Sequence, residues 1–475
     1  MGRSGAHVPA GARVAVVGAG IAGLAAAFRL QRAGCDVTVL DTAPRELVGG
    51  RMASQERDGF HVDLGAPLLG RRYRRMRSLI ADAGLEGEVL PAADLTGTAY
   101  EGRVHRGRTG SPLRLLGGGL LHGVPLTDRR QLLTELRKLR PVLHPDDMSA
   151  AAAHDTESVY RYALRRGLST RTVEHLLDPL GATLCLTDPE DTAQAAPFLY
   201  LAFLLTSGGY FTSVRGSGFL PQGLARTVPV RHGTRVVAVA AAGAEVHVTS
   251  RCPARAERSD AFEGLVLAVP PTLLPAIWLQ LPPELKELCR ATRYGSAVQV
   301  TFCLDRPTTE HAVMVHTPRA ETPDLGGCVL PHNLSPLRVP PGRGMITAYL
   351  RGEASRRLWD GDDAEAADRV LAGLAALGVL PEAGTHCETV HVDRIPNCVV
   401  RRAPGDYRRV ARAAASYRPG GGRIQLAGGD LFGHSTTIGS LTSGEEAARR
   451  LLAELRPAPS RTLGSRTPRT ERPAC

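Results

Sequence analysis

The chain has 475 residues, more than one hydrophobic core accommodates, and its apolar fraction of 43% is that of a globular protein. A net charge of +11 is almost entirely arginine, Lys138 and Lys286 being the only lysines, and no recognised nucleic-acid module accompanies it, which argues against a nucleic-acid partner. Nine scattered cysteines, odd in number and without a C-x-x-C pair, argue against a disulfide framework or a zinc site and predict reduced thiols in a cytoplasmic protein.

The opening "MGRSGAHVPAG" lacks the apolar stretch of a signal peptide, and it and the Pro/Ser/Arg-rich stretch 457–475 are predicted to be disordered. Val14 to Val17 form an unbroken apolar run, the pattern of a strand buried on both faces. Gly18, Gly20 and Gly23 follow as G-x-G-x-x-G. The first permits a tight turn, the second lets a pyrophosphate approach the backbone, and the third lets the next helix pack on the strand. That helix ends near Gly34, a second strand follows from Val37 to Leu40, and Asp41 closes it with a carboxylate suited to a ribose diol. The whole unit predicts a dinucleotide site. Gly49, Gly50 and Arg51 then offer flexible backbone and a fixed cation for phosphate oxygens. "GFHVDLGA" ends in Gly65 and Ala66, small enough for a flat group to lie against the backbone.

From Leu132 to about Thr206 the pattern is helical, with Asp155 or Thr156 expected to cap the helix in "DTESVYRYALRRGL". "APFLYLAFLL", Ala196 to Leu205, is too short to span a bilayer and reads as a core helix, the lining of an apolar cavity, or a shallow membrane contact. The basic clusters Arg71–Arg77, Arg129–Arg140 and Arg401–Arg412 read first as solvated helix faces. An anionic lipid surface, a carboxylated substrate or an acidic carrier protein is the alternative. Beyond Gly223 come two strands around Gly243, the strand "FEGLVLAVPP", an alternating strand "GSAVQVTFCLD", the amphipathic helix "DDAEAADRVLAGLAALG", the strand "GRIQLAGGD" and a helix begun by Ser443. Strand-rich and helix-rich blocks thus alternate over long distances, which predicts two interleaved domains.

In chain order, "GAGIAGL", "VLD…GGR", "DLGA", "GTRVVAV", "LVLAVPP" and "LAGGDLFGHSTTIGSLTSGEEAARRLL" resemble the flavin-dependent amine oxidase superfamily, and within it the protoporphyrinogen oxidase and carotenoid-type desaturase branch. The resemblance implies an α/β fold: a Rossmann-type FAD-binding domain with a parallel sheet (12–90, 215–275 and 395–456), interleaved with a mixed α+β substrate domain (91–214 and 276–394). It implies FAD, with Gly18, Gly20 and Gly23 under the pyrophosphate, Asp41 on the adenosine ribose, Gly50 and Arg51 near the phosphates, and Val236 meeting the adenine. Asp430 would face the ribityl–phosphate portion. Ile438 would lie in a turn, Thr437–Gly439, before a helix whose positive end faces the flavin ring. No cysteine falls in the terminal flavin-contacting segment, so the FAD is expected to be non-covalent. The departures are aspartate at 41 where glutamate is usual, a longer loop from Asp41 to Gly49, and the extra glycine of "LAGGD".

Three features bear on the reaction. Gln299 stands where many amine oxidases carry a lysine near flavin N5. Ile395 stands where the family often has tryptophan. The segment "SVYRYALRRGL…TAQAA" is similar to the desaturase branch. Together they favour hydride removal from a C–H bond of an apolar or conjugated small molecule. The rivals are an amine or imine oxidase, an isomerase or cyclase without net oxidation, and a flavin-bound protein without catalysis. His434, between Asp430 and the flavin-facing turn, is either a base or substrate-orienting group, or a loop histidine partly in solvent. Tyr407 and Arg409 are expected at the cavity border.

Overall fold

The computed structural model describes residues 11–111, 121–253, 255–417 and 422–456. The two ends expected to be disordered fall outside this set, except for Gly11. Five strands lie side by side in the order Val230–Arg231, Asp36–Leu40, Arg13–Val17, Gly264–Leu267, Ile424–Leu426, and every neighbouring pair is parallel. Val14, Ala15, Val16, Leu265 and Val266 are wholly buried, as the unbroken apolar pattern requires when both faces are covered. On one face, Val14 and Val16 pack into a core with helices Ile21–Arg32 and Thr437–Leu455. On the other, Ala15 and Val17 pack into a core shared with the antiparallel strands Arg235–Ala242, Glu245–Cys252 and Arg255–Phe262. The two helices touch closely: a Cβ on Gly444 would stand 2.1 Å from the Ala22 carbonyl oxygen.

A second sheet has seven strands, in the order Cys387–Arg401, Arg293–Leu304, Gly344–Leu350, Leu325–Val329, Met314–His316, Leu95–Tyr100, Arg103–Arg108. It is antiparallel except where Met314–His316 runs parallel to Leu95–Tyr100. Two expectations are corrected here. The boundary drawn at residue 395 falls inside strand Cys387–Arg401, whose pairing with Arg293–Leu304 continues to Arg293 opposite Arg401. The "alternating" strand has no solvated face, since Ala297 to Leu304 are all buried.

Helices between 126 and 206, with Asp406–Tyr417, form the third layer. The cap of helix Val159–Arg165 is neither Asp155 nor Thr156 but Ser158, whose Oγ accepts from the Arg161 N–H at 3.3 Å. Asp155 instead accepts from the N–H groups of Gly405 (2.8 Å), Tyr407 (2.8 Å) and Arg408 (3.3 Å), and so ties down the start of helix Asp406–Tyr417. The last helix begins at Thr437 rather than near Ser443, with Thr436 Oγ1 accepting from the Gly439 N–H. Ser443 accepts from the Gly428 N–H at 3.0 Å. Two buried ion pairs bolt the layers together. Arg338 donates to Asp63 at 2.9 Å, and Arg351 donates to both oxygens of Asp178 at 3.0 and 2.7 Å. Among the described residues, no helix is long and apolar enough to cross a membrane.

Candidate active site

A cavity of about 1300 Å³ lies against the last residues of four parallel strands, Val17, Leu40, Leu267 and Leu426. That is the carboxyl edge of the sheet at its topological switch point, where open α/β sheets hold ligands. Gly18, Gly20, Asp41, Gly50, Arg51, Gly65, Ala66, Val236, Asp430 and Ile438 all line it. Five of the predicted residues do not: Gly23, Gln299, His434, Tyr407 and Arg409.

The glycines divide by role. A Cβ on Gly18 would stand 2.5 Å from the Ala268 carbonyl oxygen, and one on Gly23 would stand 1.9 Å from that of Gly18, so these two serve backbone packing. A Cβ on Gly20 would meet only Gly49 O, at 4.0 Å, and one on Gly428 would meet nothing within 4 Å. Side chains there would enter the cavity, which leaves a bare backbone cradle beside the start of helix Ile21–Arg32. A dinucleotide fits this cradle: its pyrophosphate would face the helix's unpaired N–H groups. Asp41 accepts from the N–H groups of Ala19 and, at 2.6 Å, Ala43, which holds the carboxylate at the cavity edge.

Arg51 and Asp430 were expected to meet different parts of a cofactor; they meet each other. Arg51 donates to Asp430 Oδ2 at 2.6 Å and Oδ1 at 3.1 Å. The Tyr294 hydroxyl donates to Oδ2 at 2.6 Å and the Ser435 hydroxyl to Oδ1 at 2.7 Å. Burial opposes charge on Asp430, yet Arg51 beside it holds the carboxyl below its ordinary range. Tyr294 carried no sequence signal, because it reaches Asp430 only through the fold. Arg402, in a cluster read as solvated, is wholly buried and donates to the carbonyls of Asp430 (2.5 Å), Leu431 (3.3 Å) and Gly433 (2.9 Å). It fixes the loop that presents Asp430.

His434 is neither solvated nor at the cavity wall. It is fully buried, with Nε2 2.6 Å from the Tyr407 hydroxyl, and Tyr407 is itself wholly buried rather than at the cavity border. The pair braces the loop from behind, so a base role for His434 has no geometry. Arg409 likewise pairs with Asp406 at 2.7 Å and is not in the lining. Gln299 is fully buried behind "DLGA", its Nε2 donating to the Asp63 carbonyl at 2.9 Å. On its strand, Ala297 reaches the cavity instead.

Burial pushes His434 down to about 3 and His316, whose two nitrogens have no hydrogen-bond partner among the described residues, down to about 4. The unfolded chain takes up protons near 6.5, whereas the folded protein resists until about 4 and 3. Stability is therefore full above pH 6.5 and falls as the pH drops from there toward 3. Urea unfolding at pH 8, 6 and 5 is expected to show this decline, and His316→Leu to lessen it. An unchanged slope in that variant would mean that His316 is not the group responsible.

Beyond Ala66 the cavity turns apolar. Leu199, Tyr200, Ala202 and Phe203 enter from helix Ala195–Thr206, and Met314, Val329 and Tyr349 from the seven-stranded sheet. Of the three readings for "APFLYLAFLL", two hold at once: Phe198, Leu201 and Leu204 face the core while their neighbours line the cavity. Ile395 lines it too, as does Cys398, in strand Cys387–Arg401, outside the terminal flavin-contacting segment. Burial pushes the Cys398 thiol up to about 11.

A match to the family described as "Flavin containing amine oxidoreductase" spans residues 21–452, and the chain belongs to this family of flavin-containing oxidoreductases. The chain is 23% identical over 318 residues to "Probable flavin-containing monoamine oxidase A" of Dictyostelium discoideum, covering 62% of this chain and 65% of that one. It is 29% identical over 189 residues to protoporphyrinogen oxidase 2 of Arabidopsis thaliana, covering 40% of this chain and 35% of that one. The matches thus span less than two thirds of these relatives' lengths. Among solved structures, cyclohexylamine oxidase from Brevibacterium oxydans superposes with a TM-score of 0.71 at 19% identity, over 94% of this chain and 99% of that one, which establishes the shared fold.

Proposed function

We propose that the protein is an FAD-dependent dehydrogenase, desaturase or oxidase that takes a hydride from a C–H bond of an apolar or conjugated small molecule. One observation supports this over amine oxidation: among the described residues, the apolar end of the cavity holds no carboxylate. Among the described residues, the only acids in the lining are Asp41, spent on two backbone amides, and Asp430, neutralised by Arg51. An ammonium or a protonated amine therefore finds no counter-ion, while an apolar body finds Tyr200, Phe203, Met314 and Tyr349.

The roles of the chain's own residues follow. Gly20 and Gly428 clear space for the cofactor's backbone, and the start of helix Thr437–Leu455, at Ile438, points its positive end into the cavity. Gly65 and Ala66 give a flat wall. A bound flavin supplies the hydride acceptor; the aromatic end orients the substrate and keeps water out. The cavity exceeds the usual volume of a single small-molecule site, roughly 300–1000 Å³, which leaves room for substrate beside cofactor.

Non-covalent binding is favoured by the raised Cys398 thiol, which stays protonated and weakly nucleophilic at neutral pH. The purified protein is expected to be yellow and to release its flavin on denaturation. Colour that stays with the denatured chain but is lost in Cys398→Ser would overturn that expectation. Anaerobic flavin bleaching across a metabolite panel tests the reaction class: fast, saturable reduction by any primary amine would move the protein to the amine-oxidising branch.

A further inference from the structure

We propose that Arg72 anchors the substrate through a carboxylate, so that the molecule taken up is an apolar body bearing an acid group. The proposal rests on the reading of this cavity as a substrate site and narrows it.

Among the described residues, five charged ones line the cavity: Asp41, Arg51, Arg72, Arg235 and Asp430. Asp41, Arg51 and Asp430 already have partners, and Arg235 sits with Thr234 and Val236 at the nucleotide end. Arg72 alone stands at the apolar end, with Tyr73, Phe203, Thr206 and Ser207. Among the described residues, its guanidinium has no acceptor or ion-pair partner. Three neighbours in the same arginine cluster are engaged, and Arg74, which has no partner among the described residues, does not line the cavity. Arg71 donates to the carbonyls of Ala92 (3.5 Å) and Tyr210 (3.3 Å), Arg75 pairs with Glu445 and Glu446, and Arg77 lies over the Phe211 ring. Of the cluster members that have no acceptor among the described residues, Arg72 is the one that lines the cavity.

An exposed arginine is ordinary; a positioned one is less so. The Arg72 N–H donates to the Ser207 carbonyl at 2.9 Å. Its side chain then runs across Gly208, where a Cβ would stand 2.7 Å from Arg72 Cγ and 2.8 Å from Nε. Gly208 has φ of +70°, so a side chain there is excluded by conformation as well as by contact. The guanidinium is thus carried on a braced stem near the rings of Tyr73 and Phe203, which are tilted by 36° with centroids 5.6 Å apart. A planar fork of N–H donors matches a carboxylate in two-point geometry. With no acid on that part of the wall, the anion must come with the ligand. A fatty acid and a ring carrying acid side chains both meet this description.

The test is calorimetric titration of the purified full-length protein supplied with FAD, using two matched pairs: decanoic acid with its methyl ester, and protoporphyrin with its dimethyl ester. The wild type is expected to bind the acid of at least one pair about 10-fold more tightly than its ester. Arg72→Gln should erase that preference and leave ester binding unchanged; Arg72→Lys should restore part of it. The pair that shows the preference tells chain from ring. Equal affinity for acid and ester in the wild type, equal weakening of both by Arg72→Gln, or binding of neither pair overturns the proposal. Flavin absorbance of the same samples reads the underlying assignment separately: a chain that takes up no FAD refutes the proposed function whatever the titrations show.

Discussion

Asp63→Ala is expected to destabilise the protein by about 3–5 kcal/mol, because it strands a buried cation. Arg338 is wholly buried, and Asp63 is its counter-ion at 2.9 Å. The same carboxylate accepts from the Ser54 hydroxyl at 2.6 Å and the Ser217 N–H at 2.9 Å, so three segments lose their common acceptor together. The double variant Asp63→Leu with Arg338→Met removes both charges and should recover much of the loss, as apolar replacement of buried pairs often does. Urea unfolding followed by circular dichroism measures both. A loss below about 1 kcal/mol in the single variant, the range of an exposed pair, would show that Arg338 finds another partner or reaches water. Asp63 also opens the "DLGA" wall, so FAD uptake should fall in parallel.

The glycine motif gives a sharper contrast. Gly23→Ala is expected to damage the fold and the cofactor site together, since its Cβ would stand 1.9 Å from a backbone oxygen that has nowhere to retreat. Overpacking of this kind costs about 1–3 kcal/mol or more. Gly20→Ala should do something different. Gly20 has φ of −73°, which alanine adopts freely, and its Cβ would point into the cavity. Unfolding should match wild type while FAD affinity drops by about 10-fold or more, from the pyrophosphate being pushed off the helix start. Equal FAD affinity in wild type and Gly20→Ala would mean that no ligand crosses that point.

The stretch Arg13–Asp41 was legible because each of its residues answers to a neighbour a few positions away. Strand, turn, helix and acid are local demands, and so is the crowding of Gly23 on Gly18. The fold and the family followed from them and from the later motifs in order. The surroundings of Asp430 were not legible. Arg51, Tyr294 and Arg402 converge on it or its loop from three separate stretches, and a lone arginine or tyrosine advertises no partner. Asp155 was misread for the same reason: beside a helical pattern it looks like a local cap, yet its acceptors serve backbone 250 residues away. His434 and Gln299 were chosen by position along the chain, whereas burial decides their chemistry. Cys398 carries no signal in the sequence because its strand lies apart from the terminal flavin-contacting segment and reaches the cavity only through the fold. For Arg72 the sequence showed only a cluster, and no periodicity singles out the member that faces inward.

The order in which this chain leaves the ribosome carries a cost set by its topology. Strand Arg13–Val17 and helix Ile21–Arg32 emerge long before the segments that complete their packing: the helix is covered by Thr437–Leu455 and the sheet extended by Ile424–Leu426. Through most of translation the first helix keeps an apolar face bare, and the growing sheet has an unpaired edge. Such a surface invites association between nascent chains on one messenger. Slow or stalled synthesis past the second sheet would prolong that exposure, and yield of active protein in a heterologous host should depend on elongation speed and on chaperones that hold the amino-terminal segment.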